Sequence, residues 1–113
     1  MTVYVDNMHL DALGQLEHLS LCHMIADSEQ ELRAMAQRIG ASPRWHHKPG
    51  TPRSHYDIDS AKRALAIEAG ALEITMRECA AMTSRRAVLG SLGTPAEAIA
   101  WWKQRARRVR AQR

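Results

Sequence analysis

The pattern of apolar and polar positions divides the chain into short stretches of different period. Thr2 to Val5 is short, rich in β-formers and followed by Asp6, and it predicts a first strand. Asn7 to His18 is polar, lacks a clear period and is interrupted by Gly14, which predicts a loop or a weak helix. Leu19 to Ile25 alternates loosely and predicts a second strand. Leu32, Met35, Ala36 and Ile39 then recur at the spacing of one helical face. This helix starts at Asp27 or Ser28, with Asp27 as a cap residue and Ser28 and Glu31 at capping-box spacing, and stops at Gly40. In residues 41–57, Pro43, Pro49, Gly50 and Pro52 break any continuous helix or central strand and predict a long irregular segment.

Asp59 or Ser60 opens a second helix over Ala61 to Ala69, closed by Gly70, and Ala71 to Ile74 predicts a third strand. Thr75 with Glu78 starts a third helix through Met82. Thr94-Pro95-Ala96-Glu97 starts a last one, with Ile99, Trp102, Ala106 and Val109 along one face. The order predicts an α/β fold, a small open sheet of about three strands flanked by helices. Residues 1–93 would form a single α/β domain, with a basic C-terminal helix over 94–113 packed on it or extending from it.

Composition changes this picture in four places. The 113 residues contain no Phe and six Met, so Ala, Leu, Met and Ile must fill the core. Two cysteines, Cys22 and Cys79, are too few for a secreted disulfide scaffold and read as buried thiols. No apolar run reaches the roughly 18 residues of a membrane span, and the start of the chain lacks the basic and apolar regions of a signal peptide, so a cytoplasmic location is expected. The formal charge of +4 is a property of the end of the chain: residues 103–113 carry six basic side chains and no acid.

Several motifs resemble a known family. They are Val3-Tyr4-Val5-Asp6, Cys22-His23-Met24-Ile25-Ala26-Asp27, Glu31-Leu32, Met35-Ala36, Ile39-Gly40, Trp45, His55-Tyr56-Asp57-Ile58, Lys62-Arg63-Ala64, Gly70-Ala71 and Glu73-Ile74. Together these resemble the bacterial and phage proteins grouped as domain of unknown function 4031, over roughly residues 1–80. The resemblance implies no activity. It places Asp6, His23, Asp27, Trp45, His55, Tyr56, Asp57, Lys62 and Arg63 within the shared pattern; the stretch Asp11 to Leu19 and the arginine-rich tail are less typical.

The candidate chemistry centres on Ser54-His55-Tyr56-Asp57, an imidazole, a phenol and a carboxylate ahead of a helix that carries Lys62 and Arg63. The helix start would favour an anion, with Arg63 gripping a phosphate bidentately and Lys62 acting as a point charge. His55 could serve as general acid or base, with Asp57 beside it, His23 as its partner from the second strand and Asp6 at the end of the first. Trp45 or Tyr56 would stack on a base. No C-x-x-C pair or H-E-x-x-H spacing is present, so no metal residues are assigned and no cofactor is required; a divalent ion on Asp6 and Asp57 is the one metal arrangement considered. Phosphate-cradling, dinucleotide and nucleophile-elbow motifs are all absent.

These features support binding of a phosphate-bearing ligand, a nucleotide or RNA, in a polar cleft, with phosphoester hydrolysis as an extension. The alternative is a non-catalytic protein-interaction module acting through the C-terminal amphipathic basic helix, anchored by Ile99, Trp102 and Val109. In a third reading Trp102, Arg105, Arg107 and Arg108 contact nucleic acid directly.

Overall fold

A computed structural model describes residues 2–112 apart from residues 12, 13, 17 and 18. Parts of the stretch Asn7 to His18, and Arg113 of the tail, therefore lie outside the described residues. The strands are β1 (Val3–Val5), β2 (Gln15–Leu16), β3 (Leu19–Ala26), β4 (His46–His47), β5 (His55–Asp59) and β6 (Leu72–Glu73). The helices are α1 (Glu29–Ile39), α2 (Ser60–Glu68), α3 (Met76–Leu89) and α4 (Pro95–Ala111). Short 3-10 turns cover Met8–Leu10 and Pro43–Trp45.

The sheet is larger than the expected three strands. Five strands run in the order β4-β5-β3-β1-β6, and β2 pairs separately with β3. All pairings are antiparallel except β1 with β6, which are parallel. The main correction is β5. His55 to Asp59 is not the end of a loop but a strand paired to β3, in a register that sets His23 opposite Asp57 and Met24 opposite Tyr56. The capping residue of α2 is accordingly Asp59, whose carboxylate accepts from the Lys62 N–H at 2.9 Å. The third helix also runs past Met82 to Leu89, where Gly90 in the left-handed region ends it.

The helix starts follow the local signals. Thr75 and Thr94 each form a complete capping box, and Ser28 caps α1 by accepting from the Glu31 N–H. Asp27 is not a helix cap; its carboxylate accepts from the Thr2 N–H at 3.0 Å and ties the start of the chain to the end of β3.

Strand alternation sends successive side chains to opposite faces of the sheet. Val3, Val5, Cys22, Met24, Ala26, Tyr56 and Ile58 pack beneath α1 and α2 with Leu32, Ala36, Ile39 and Ala66. On the other face Tyr4 and Ile25 pack with Ile74, Cys79, Ala81, Met82, Leu92 and Ala98, and Ile99 and Trp102 of α4 lean against this cluster. This second core covers only the β1 side of the sheet. Toward β5 and β4 the same face turns polar, and that change of character positions the site.

Candidate functional site

Asp6, His23, His55 and Asp57 converge on the face that α3 and α4 leave partly open. Asp6 follows β1 and is fully buried. Its Oδ1 accepts from the backbone N–H of His23 at 2.8 Å and of Met8 at 3.1 Å. Its Oδ2 accepts from His23 Nδ1 at 2.7 Å. Burial by itself would raise the Asp6 carboxyl, but the hydrogen bonds and charge of His23, with the two N–H donors, outweigh it and hold the group below its ordinary value. For His23 burial works toward a lower value, and the Asp6 bond and charge, helped by Asp57, reverse it to a net rise.

The other nitrogen of His23 faces β5. His23 Nε2 is 3.9 Å from Asp57 Oδ1, and His55 Nε2 is 3.6 Å from the same oxygen. The His23 and His55 rings meet edge to face with centroids 5.1 Å apart. His55 donates from Nδ1 to the Arg53 carbonyl at 2.9 Å. Its value is lowered, chiefly by burial and against the pull of that carbonyl, with a contribution from the neighbouring His23. His47, which stands opposite His55 in the β4–β5 pairing, brings Nε2 to 3.0 Å from Asp57 Oδ2.

A cleft of about 670 Å³ opens beside this group. His23 and His55 form its polar floor, Ile25, Cys79 and Ala80 are among its apolar walls, Trp102 closes one side, and Lys48, Arg53 and Arg77 stand around it. None of these three cations forms an ion pair among the described residues. Lys48 adopts a left-handed backbone conformation, φ 52°, sparsely populated for a residue with a Cβ. The loop that carries Lys48 and Arg53 is fastened by Arg86 of α3. Its guanidinium donates to the carbonyls of Pro52 and Ala26, each at 2.7 Å, and of Ser54 at 3.4 Å.

Other residues expected at the site lie elsewhere. Ser54 is buried toward α1, where its hydroxyl donates to Glu29 at 3.0 Å and lies 2.8 Å from His46 Nε2. Tyr56 points into the core beneath α1 and stacks on His46. Trp45 and Lys62 share a separate small pocket of about 130 Å³ at the end of α1. Arg63 donates from Nε to the Asp6 carbonyl at 2.8 Å and pairs with Glu73 at 3.2 Å, joining the ends of β1 and β6. Neither Lys62 nor Arg63 lines the cleft beside His23 and His55.

Helix α4 divides its basic residues between two sides. Arg107 lines a groove with Arg77, Trp102, Lys103 and Arg110 that shares Arg77 and Trp102 with the histidine cleft. Arg105 and Arg108 lie with Val88, Leu89 and Trp101, and Arg105 sits over the Trp101 ring at 5.5 Å. Sequence reasoning gave no site role to His47, Lys48, Arg53, Arg77 or Arg86. His47 and His55 could have been paired from strand alternation once β5 was recognised; the three cleft cations carry no local signal.

Among the described residues, two groups of side chains have the composition to hold a metal: His23, His55 and Asp57, and Asp6, His23 and Cys79. The pair considered from sequence, Asp6 with Asp57, is bridged instead by the His23 ring.

The family model for a protein of unknown function, DUF4031, matches residues 3–86, and the chain belongs to that family. The match spans β1 through most of α3; it takes in Asp6, His23, His55, Asp57 and the three cleft cations, while α4 with Trp102 lies beyond it. No curated protein and no solved structure matches the chain.

Proposed function

We propose that this DUF4031 protein binds a phosphate-bearing ligand, a nucleotide or an RNA, in the cleft between the histidine face of the sheet and helices α3 and α4. The observation that carries this reading is the set of three cations that form no ion pair among the described residues, Lys48, Arg53 and Arg77, around a cleft lined also by His23, His55 and Trp102. The cleft volume of about 670 Å³ falls in the range of small-molecule sites. Three exposed cations around the cleft favour an anion, and the Trp102 ring suits a nucleobase, since base–aromatic stacking tolerates any base. The adjoining groove with Lys103, Arg107 and Arg110 supports a strand longer than one nucleotide. The same reading extends to phosphoester hydrolysis, in which His23, His55 and Asp57 would face the phosphoryl group. Two free cysteines fit a reducing, cytoplasmic setting.

The alternative, a protein-interaction module acting through α4, has less support. Two of its three anchors, Ile99 and Trp102, are partly buried against the second core, and of the three Val109 alone is exposed.

Fluorescence anisotropy with a short labelled single-stranded RNA, at several salt concentrations, tests the proposal. The double variant Arg53→Ala, Arg77→Ala should weaken binding at least tenfold. It should also flatten the logarithmic salt slope by about 1.4, the change expected for two lost phosphate contacts on a single strand. Trp102→Ala should weaken binding with the slope unchanged. Wild-type affinity and slope in the double variant would overturn this placement of the ligand.

A further inference from the structure

Asp57 poses a problem that the hydrogen-bond network does not solve. Its Oδ1 is buried and has no hydrogen-bond partner among the described residues, although two imidazole nitrogens lie 3.6 and 3.9 Å away. Buried carboxylate oxygens are normally satisfied, and one that is not calls for an explanation. His47 Nε2 is in the same condition: it lies 3.0 Å from Asp57 Oδ2 but makes no hydrogen bond. Donor atoms thus gather around one point without bonding to one another.

We propose that His23 Nε2, His55 Nε2 and Asp57 Oδ1 bind a single divalent transition-metal ion, with zinc the best match, and that the ion keeps open positions toward the cleft. Three lines of geometry support the site, and none depends on the phosphate-ligand reading. First, a tetrahedral zinc with ligands at about 2.0–2.1 Å spaces its donor atoms roughly 3.3–3.4 Å apart. The two measured nitrogen–oxygen separations, 3.6 and 3.9 Å, need only a few tenths of an ångström of closure. Each of the three residues offers a ligand atom within 4.8 Å of those of the other two.

Second, both imidazoles are held as metal-binding histidines are held. A ligating histidine donates its distal N–H to a carboxylate or a backbone carbonyl, which fixes the ring and the tautomer. His23 does so to buried Asp6 at 2.7 Å and His55 to the Arg53 carbonyl at 2.9 Å. In both rings this places the proton on Nδ1 and leaves the lone pair of Nε2 facing Asp57. Third, all three ligands stand on paired strands, His23 directly opposite Asp57 and His55 two residues before it on the same face. A rigid sheet holds such a constellation better than a loop would.

The competing group of Asp6, His23 and Cys79 does not serve. Asp6 is fully buried, and its oxygens already accept from two backbone N–H groups and the His23 ring. Two nitrogens and one carboxylate oxygen suit zinc, cobalt and iron better than magnesium or calcium, which prefer all-oxygen shells. Three protein ligands are the usual number for a metal that retains a water or substrate position. His23 and His55 also line the cleft, so that position would face it. His47, against the second oxygen of Asp57, is placed to orient the carboxylate.

Untagged protein, stripped with a chelator and dialysed, would be titrated with Co²⁺ while the visible d–d absorption is followed, and separately with Zn²⁺ by calorimetry. One ion per chain is expected, with Zn²⁺ displacing the Co²⁺ band. His55→Ala and Asp57→Asn, each checked for folding by circular dichroism, should weaken binding by at least about 100-fold. His47→Ala should weaken it by about 10-fold, as loss of an orienting partner does. Absence of a Co²⁺ band and of Zn²⁺ heat in the wild type would overturn the proposal, and so would unchanged affinity in a folded Asp57→Asn variant.

Discussion

Asp6→Asn alters one atom of a fully buried side chain, and the structure states what should follow. Oδ1 accepts both backbone N–H groups, from Met8 and His23, and an asparagine oxygen can retain both bonds. Oδ2 accepts from His23 Nδ1 at 2.7 Å, and there the substitution places an NH₂ group. Two donors cannot share a hydrogen bond, so the His23 ring must move its proton to Nε2 and accept at Nδ1. A charge-assisted bond is replaced by a neutral one. Hydrogen bonds to charged groups contribute about 1.5–3 kcal/mol and neutral ones about 0.5–1.5, so the variant should lose about 1–2 kcal/mol. For a domain of this size that corresponds to roughly 4–8 °C in Tm. Asp6→Ala removes the acceptor for two buried backbone N–H groups as well and should cost about 3–4 kcal/mol. The moved proton has a second consequence. With Nε2 protonated, the lone pair directed at Asp57 is gone, and metal affinity should fall by about 10–100-fold. Urea denaturation of the metal-free variants and nitrogen chemical shifts of the His23 ring measure the two effects separately. A variant with wild-type stability and an unprotonated Nε2 would refute the account of Asp6 as the group that sets the His23 tautomer.

Arg86→Met keeps most of the side-chain volume but deletes donors to three carbonyls, two at 2.7 Å; a loss of about 2–3 kcal/mol is expected by chemical denaturation, with Arg86→Lys intermediate. Burial pushes the Cys22 thiol up to about 12, so at pH 8 only about one thiol in ten thousand is ionised, and iodoacetamide should label Cys22 only after unfolding, as peptide mass spectrometry would show. Arg107→Ala should weaken RNA binding and Arg105→Ala should leave it unchanged in the same anisotropy assay, because Arg107 lines the groove while Arg105 rests over Trp101.

The parts of the fold that were legible in the sequence are those whose causes are local. Ser28, Thr75 and Thr94 start helices because a hydroxyl three residues before a free N–H is a short-range contact, and Gly40 ends α1 because only the left-handed region accommodates the turn there. Strand β5 was hidden for a physical reason. His55-Tyr56-Asp57-Ile58-Asp59 alternates as a strand should, but its polar side faces a cleft rather than bulk water, and prolines 43, 49 and 52 before it suggest continuous loop. Strand β4, at two residues, is too short to carry a period, whereas β6 (Leu72–Glu73) falls inside the strand expected over Ala71 to Ile74. Misplacing β5 then misplaced its neighbours. Ser54 and Tyr56 adjoin His55 in sequence, yet a strand sends alternate residues to opposite faces, so both belong to the α1 side. Lys62 and Arg63 were chosen as cations by proximity along the chain, whereas Lys48, Arg53 and Arg77 reach the cleft from a loop and a distant helix. Asp6, His23, His55 and Asp57 were singled out by residue type, by the strand-end position of Asp6 and by the shared family pattern, and the fold brings these four side chains together.

The sequence presents the polar segment around His55 and the C-terminal helix as rival sites, and the fold removes that opposition. Trp102 belongs to α4 and closes the cleft whose floor is His23 and His55, while Arg77 of α3 lines both the cleft and the basic groove. Removing the arginines of α4 and replacing His55 therefore disturb two parts of one continuous surface, and a loss of binding from either change no longer separates a ligand site from a partner surface. What does separate them is the side of α4 affected. Trp102, Lys103, Arg107 and Arg110 face the cleft and groove, whereas Trp101, Arg105 and Arg108 lie with the exposed Val88 and Leu89 on the other side. A protein partner would need that second, more apolar side; a phosphate-bearing ligand needs only the first.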